Sequence, residues 1–205
     1  ASDVYKRQIV SLTSAVDDNV ISDARIHTLN QWATEYTKED IANELSTLSR
    51  NGESRNTVLR VIDKPTRLEF LTSIALKQHF VDLDVRPNYH VDDEGLPTFT
   101  ASGGMADIEC YDTDCNSLVE VTLMCSRNQA TNEMPAITRH LQEAIGREPD
   151  ITQFSILVAP SIHADTRYMA AFSKHQYNVD ILTLTINEFV EQLGVNERII
   201  EILPA

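Results

Sequence analysis

Met105-Ala-Asp-Ile-Glu-Cys-Tyr-Asp-Thr-Asp-Cys-Asn-Ser-Leu-Val-Glu-Val-Thr-Leu-Met-Cys125 reads as two strands joined by a turn. Side chains alternate between the two faces of a strand. From about Met105 to Tyr111, Asp107 and Glu109 therefore share a face, with Ala106, Ile108 and Cys110 opposite. From Leu118 to Cys125, Val119, Val121, Leu123 and Cys125 point one way, while Glu120 and Thr122 point the other. If the strands pair through the turn near Asp112-Thr-Asp114, Asp107 and Glu120 meet on one side of the sheet.

Two carboxylates crowded on a rigid element repel unless protonation or a cation offsets the charge. Magnesium takes hard oxygen ligands and keeps several waters. A Mg²⁺ ion would suit Asp107, Glu120, the backbone carbonyl of Val121 and a substrate phosphate, with Mn²⁺ able to substitute. Such an ion activates water and stabilises the leaving oxygen in phosphodiester hydrolysis. The competing reading is the solvated face of a half-buried sheet, and spacing alone does not choose between them.

Outward from this hairpin, Pro65 fits a first helical turn, and Leu68, Leu71, Ile74 and Ala75 form the apolar face of a helix running to about His79. Glu69 lies inside it. Residues 92–104 carry turn chemistry and read as a loop after a strand near Val85 to Val91. A helix is expected from about Asn132 to Ile145, with Pro135 in its first turn. Strand Phe154 to Ala159, helix Ala164 to His175, strand Val179 to Leu184 and helix Ile186 to Leu193 follow. Antiparallel strands first and helix-separated strands later predict an α/β fold with a central mixed sheet flanked by helices.

Upstream, Ile26, Leu29 and Ala33 share a helical face, and Thr37-Lys-Glu-Asp40 resembles a capping box before Ile41, Leu45 and Leu48. The polar stretch 49–56 marks a boundary. Residues 1–55 are thus expected to form a small helical appendage, or the end of a recognition region, and residues 56–205 the main domain. The chain opens on Ala1, and its first eight residues look unrelated to the rest, so a missing native N-terminus is expected.

The chain has 205 residues and a formal charge of −14. Length favours one main domain. The acidity argues against unaided tight binding to DNA and fits a module delivered by another domain or subunit. Three cysteines do not make a disulfide framework. With no fourth ligand placed in sequence, Cys110, Cys115 and Cys125 do not make a zinc site either. No secretory signal or apolar span is read, which predicts a cytoplasmic protein without membrane association. Six scattered histidines lack a helical metal-binding pair.

Ala106-Asp107, twelve intervening residues, then Glu120-Val-Thr122 resembles the PD-(D/E)XK motif, with Ala for Pro and Thr for Lys. Lys64-Pro-Thr-Arg-Leu-Glu-Phe-Leu71, Asp93-Glu-Gly-Leu-Pro97, Gly103-Gly-Met-Ala-Asp-Ile-Glu-Cys110 and Val119-Glu-Val-Thr-Leu123 resemble, in order, the AlwI family of type IIS restriction and nicking endonucleases. The likeness runs from about Val61 to Leu193. Through that family the domain is similar to the FokI-like cleavage domain. The resemblance implies a PD-(D/E)XK restriction-endonuclease-like fold and Mg²⁺-dependent cleavage of double-stranded DNA.

By motif and spacing, the family's catalytic centre falls on Glu69, Asp107, Glu120 and Glu133. The resemblance casts Asp107 and Glu120 as metal ligands, Glu69 as completing the shell, and Glu133 as orienting water or a second ion. Thr122 replaces the lysine that would orient water, and Arg139 or His140 are candidates to supply its charge. The resemblance also implies a recognition domain or large subunit, and a transient homodimer or heterodimer for double-strand cutting. Two alternatives stay open: a non-catalytic DNA-binding or assembly module on this fold, and a repair or junction nuclease.

Overall fold

The computed structural model of the protein describes residues 22 and 24–204. The first eight residues and the expected helix start at Val20 lie outside them. The hairpin that decides the fold sits at the centre of the sheet. β4 (Ile108–Tyr111) pairs antiparallel with β5 (Cys115–Val121), with Ile108 opposite Val119 and Tyr111 opposite Asn116. β1 (Asp84–Pro87) joins β4 antiparallel, while β6 (Thr152–Ala159) and β7 (Asp180–Thr185) extend the sheet in parallel beyond β5. The order is β1-β4-β5-β6-β7. This is the mixed sheet expected, because β5, β6 and β7 are linked through helices and β4 and β5 through a tight turn.

Alternation along β5 and β6 splits the core in two. Val119, Ile156 and Val158 pack against α4 (Lys64–His79) and α8 (Ile186–Val195) on one face. Leu118 and Leu157 pack against α6 (Met134–Arg147) and α7 (Ala164–Tyr177) on the other. α8 opens on a capping box, in which Thr185 caps the backbone of Glu188 and the Glu188 side chain returns to Thr185. Among the described residues no helix is long and apolar enough to cross a membrane.

Several elements differ from the sequence reading. The first strand of the hairpin is shorter than expected, and Asp107 lies just before it. Ala106 packs with Leu118 and α6, across the sheet from Ile108, because the chain before Ile108 is no longer a strand. β5 begins at Cys115 and stops at Val121, since the Thr122 hydroxyl accepts from the Met124 N–H at 3.1 Å and turns the chain. The expected helix from Asn132 is two, α5 (Asn128–Asn132) and α6, with Pro135 just inside the second. Residues 92–104 are not all loop: β2 (His90–Val91) and β3 (Pro97–Phe99) pair across a turn where the Asp92 carboxylate accepts from Glu94 and Leu96. In that turn Gly95 has φ +81°, and a Cβ there would lie 2.5 Å from the Ala24 carbonyl oxygen.

The helices before residue 56 are also built in rather than set apart. Helix α1 (24–35) and α2 (Lys38–Ser49, with the capping box read at Thr37 and Asp40) lend Leu29, Trp32, Ile41, Leu45 and Leu48 to the α4 face of the core, and the short α3 (Thr57–Val61) adds Leu59. Trp32 stacks on Tyr36 and meets Phe70 of α4 edge-on, with centroids 5.1 Å apart. Covered on both sides, α4 is buried at every residue from Thr66 to Leu76. Truncating Trp32 to Ala should therefore cost about 3–5 kcal/mol, read as a lower denaturation midpoint. A peripheral appendage would leave the midpoint in place.

Candidate active site

Continuing the β4–β5 register by one step sets Asp107 opposite Glu120. The two residues bind each other's strands. The Val121 N–H donates to Asp107 Oδ2 at 2.7 Å, and the Asp107 N–H donates to Glu120 Oε2 at 3.3 Å. Asn88 holds the same segment from the β1 side. Its N–H donates to the Asp107 carbonyl and its side-chain amide to the Ala106 carbonyl, each at 2.9 Å. Asp107 thus cannot swing away without breaking pairing on both sides.

Glu69 comes from the other side of the sheet. Its carboxylate accepts from the Ala101 N–H at 3.0 Å, at the end of the hairpin whose turn docks on α1. Glu133 stands between α5 and α6, where a negative side chain suits the helix N-terminus. It makes no capping bond there and instead accepts from the Thr122 hydroxyl at 3.0 Å. His140 is buried, and its Nδ1–H donates to Glu120 Oε1 at 2.9 Å, while Nε2 is buried with no partner among the described residues. Arg139 instead points outward, 4.0 Å from Glu143.

The structure therefore brings Asp107, Glu120, Val121 and His140 into one bonded group, with the bonded pair Thr122–Glu133 next to it along the chain and Glu69 near enough for the charges to act on one another. Burial, then the charge of Glu120, pushes the Glu69 carboxyl up to about 8. Burial, then Glu120 and Glu69, pushes Asp107 well above the carboxylate range, and burial with the charge of Glu120 raises Glu133. Backbone N–H groups lower Glu69 and Asp107, and the Thr122 hydroxyl lowers Glu133, but desolvation outweighs them. Sequence reasoning left His140 as a secondary candidate. The signal was present: three residues after Ile137 and four before Ala144, it lies on the buried stripe of α6.

No lysine or arginine pairs with any of the four carboxylates among the described residues, and hard oxygen donors in buried or half-buried, charge-strained positions are what a divalent cation relieves. The donor set fits Mg²⁺. Glu69, Asp107 and Glu120 do not form a trio with ligand atoms all within 4.8 Å, whereas Asp112, Asp114 and Cys115 do. That second group already has a cationic partner. Arg198 donates to Asp112 at 3.2 Å and pairs with Asp114, at the β4–β5 turn away from Asp107 and Glu120. Cys110 and Cys115 are buried, Cys125 is exposed, and all three are free.

The profile of the AlwI restriction endonuclease family matches residues 4–192. The match starts well before Val61, so α1 and α2 lie within the family's shared sequence, consistent with their place in the core. Among curated proteins no match was found. The crystal structure of the small subunit (R.BspD6I2) of the heterodimeric restriction endonuclease R.BspD6I is similar over 76% of this chain and 76% of that one, with TM-score 0.63 and 23% identity. Restriction endonuclease FokI is similar with TM-score 0.52 and 12% identity, over 82% of this chain but only 32% of FokI. At these identities both likenesses speak to the fold, which is that of PD-(D/E)XK restriction endonucleases. The chain belongs to the AlwI restriction endonuclease family, and so has both the family and the fold of a restriction-system nuclease.

Proposed function

We propose that the chain is the cleavage module of a type IIS or nicking restriction system, hydrolysing DNA phosphodiesters with a divalent metal, Mg²⁺ or Mn²⁺. The observation that carries the reading is the cross-strand pair of Asp107, half-buried, and Glu120, buried, with no lysine or arginine partner among the described residues. Asp107 and Glu120 would hold the ion, with the Val121 carbonyl and Glu69 completing its surroundings. When bound, the ion supplies charge stabilisation of the phosphate and an activated water. The protein's part is orientation. The Val121 N–H fixes Asp107, and the His140 imidazole fixes Glu120.

Thr122 occupies the place of the motif lysine. Its hydroxyl accepts from Met124, which leaves its proton for Glu133, so Glu133 is held as the acceptor that would orient the attacking water. Replacing His140 by Ala frees Glu120 to rotate and should lower metal affinity or cleavage about 10–100-fold, measured by Mn²⁺ titration and single-turnover nicking.

One acidic centre per chain cuts one strand. Double-strand cleavage would need a second copy or a partner subunit, and the likeness to a small subunit of a heterodimeric enzyme supports the latter. A recognition domain or larger subunit would deliver this acidic module to DNA in the cytoplasm. The second reading is a non-catalytic assembly module, favoured by Thr122 in place of lysine and by the charge of −14. Supercoiled plasmid at low salt with Mg²⁺ separates them. The nuclease converts it to nicked circle, alone or fused to a DNA-binding domain, and inertness in both forms supports the platform. Preference for branched over linear substrates would instead indicate a repair or junction nuclease.

A further inference from the structure

Gln129 is fully buried in the five-residue helix α5, and its amide is fully used. Nε2 donates to the Met124 carbonyl at 2.8 Å and the Ser161 carbonyl at 3.2 Å. Oε1 accepts from the His163 N–H at 3.1 Å and from the Thr166 hydroxyl at 2.8 Å. A primary amide has two N–H donors and two acceptor sites, and all four are engaged. One side chain thus ties the segment after β5 to the β6–α7 loop and to the first turn of α7.

Met124 is the link to the centre. Its carbonyl is held by Gln129 and its N–H by the Thr122 hydroxyl, which in turn donates to Glu133. We propose that Gln129 is a positioning residue that aims the Thr122 hydroxyl at Glu133 by anchoring Met124, and so makes the chain's substitute for the motif lysine work. The inference rests on the nuclease reading for its effect on rate, but not for its effect on the segment. The buried location is itself demanding: four polar partners lose their bonds together if the amide goes, so the anchor is rigid while intact.

Gln129→Met keeps length and removes the bonds. Hydrogen exchange should rise at residues 122–126 and 161–166 while β5 and β6 stay protected. Single-turnover nicking with Mg²⁺ should fall roughly 100-fold, as for a misplaced reacting group. Affinity for duplex DNA in Ca²⁺ should hold, and in a Thr122→Val background the substitution should cost nothing further. A purely structural role would give equal losses in both backgrounds, and that result, weakened DNA affinity in place of a slower step, or unchanged exchange at 122–126 would overturn the proposal. If Gln129→Met does not fold, Thr166→Val removes one of the four bonds, and the same pattern is expected at smaller amplitude. In it too, unchanged exchange at 122–126 overturns the assignment. A wild-type chain inert on DNA would sink the nuclease reading alone, with the exchange result still deciding this one.

Discussion

Asp107→Asn should lower single-turnover DNA cleavage by roughly a thousandfold or more, about 4 kcal/mol of transition-state stabilisation, without unfolding the protein. The amide keeps an oxygen that can accept from Val121, so the β4–β5 pairing survives. What it loses is a negative oxygen opposite Glu120. In metal-free protein that loss removes repulsion, so the melting temperature should hold or rise. Activity and stability then move in opposite directions. A solvated acidic face would show neither effect, and a structural aspartate would lose both together.

Stability should also fall as pH rises in the metal-free protein. Glu69 has a folded pKa raised to about 8 from an ordinary carboxylate value, so the folded state holds a proton that the unfolded chain has released. The sign follows: the contribution is complete below about pH 4.5 and is lost as pH climbs through 8, at up to about 1.4 kcal/mol per unit. Asp107 shifts in the same direction. His79 is lowered by burial and works the opposite way up to the ordinary imidazole range, so the slope is cleanest between about pH 7 and 8. The lowered carboxyls of Asp40 and Glu188 act only at more acid pH. Thermal melts in chelator should show the decline, Glu69→Gln should flatten it, and Mg²⁺ should cancel it by favouring the ionised forms. A flat profile in chelator would mean that these carboxyls are not strained.

The hairpin was legible because two local signals agreed: alternation on both strands and Asp112-Thr-Asp114 between them. The capping box at Thr37 and Asp40 was legible for the same reason, since its bonds lie within four residues. What could not be read was set by distant partners. α4 looks amphipathic in sequence, yet Thr66, Arg67, Glu69, Thr72 and Ser73 are buried because α1 and α2 cover its second side. Arg67 tolerates this by donating to the Ile62 carbonyl at 2.8 Å, and Ser73 by donating to that of Glu69. Of the site, the candidate carboxylates came from motif spacing and family likeness. Of the supports, His140 was named only as a source of charge, and Asn88 and Gln129 were not named, because Asn88 bonds Ala106, 18 positions on, and Gln129 bonds Ser161, His163 and Thr166, 32 to 37 positions on. Hairpin β2–β3 was missed because its strands are too short to show a period.

The central claim is that Asp107 and Glu120 form a divalent-metal centre, and Mn²⁺ binding followed by electron paramagnetic resonance addresses it without requiring a DNA substrate. Wild-type protein at low salt should take up Mn²⁺ saturably, with Mg²⁺ competing and matched NaCl not. Asp107→Asn and Glu120→Gln should each lose that binding while Asp112→Asn, at the Arg198-paired turn, keeps it. Uptake that survives both Asp107→Asn and Glu120→Gln, or that vanishes with Asp112→Asn instead, would contradict the account.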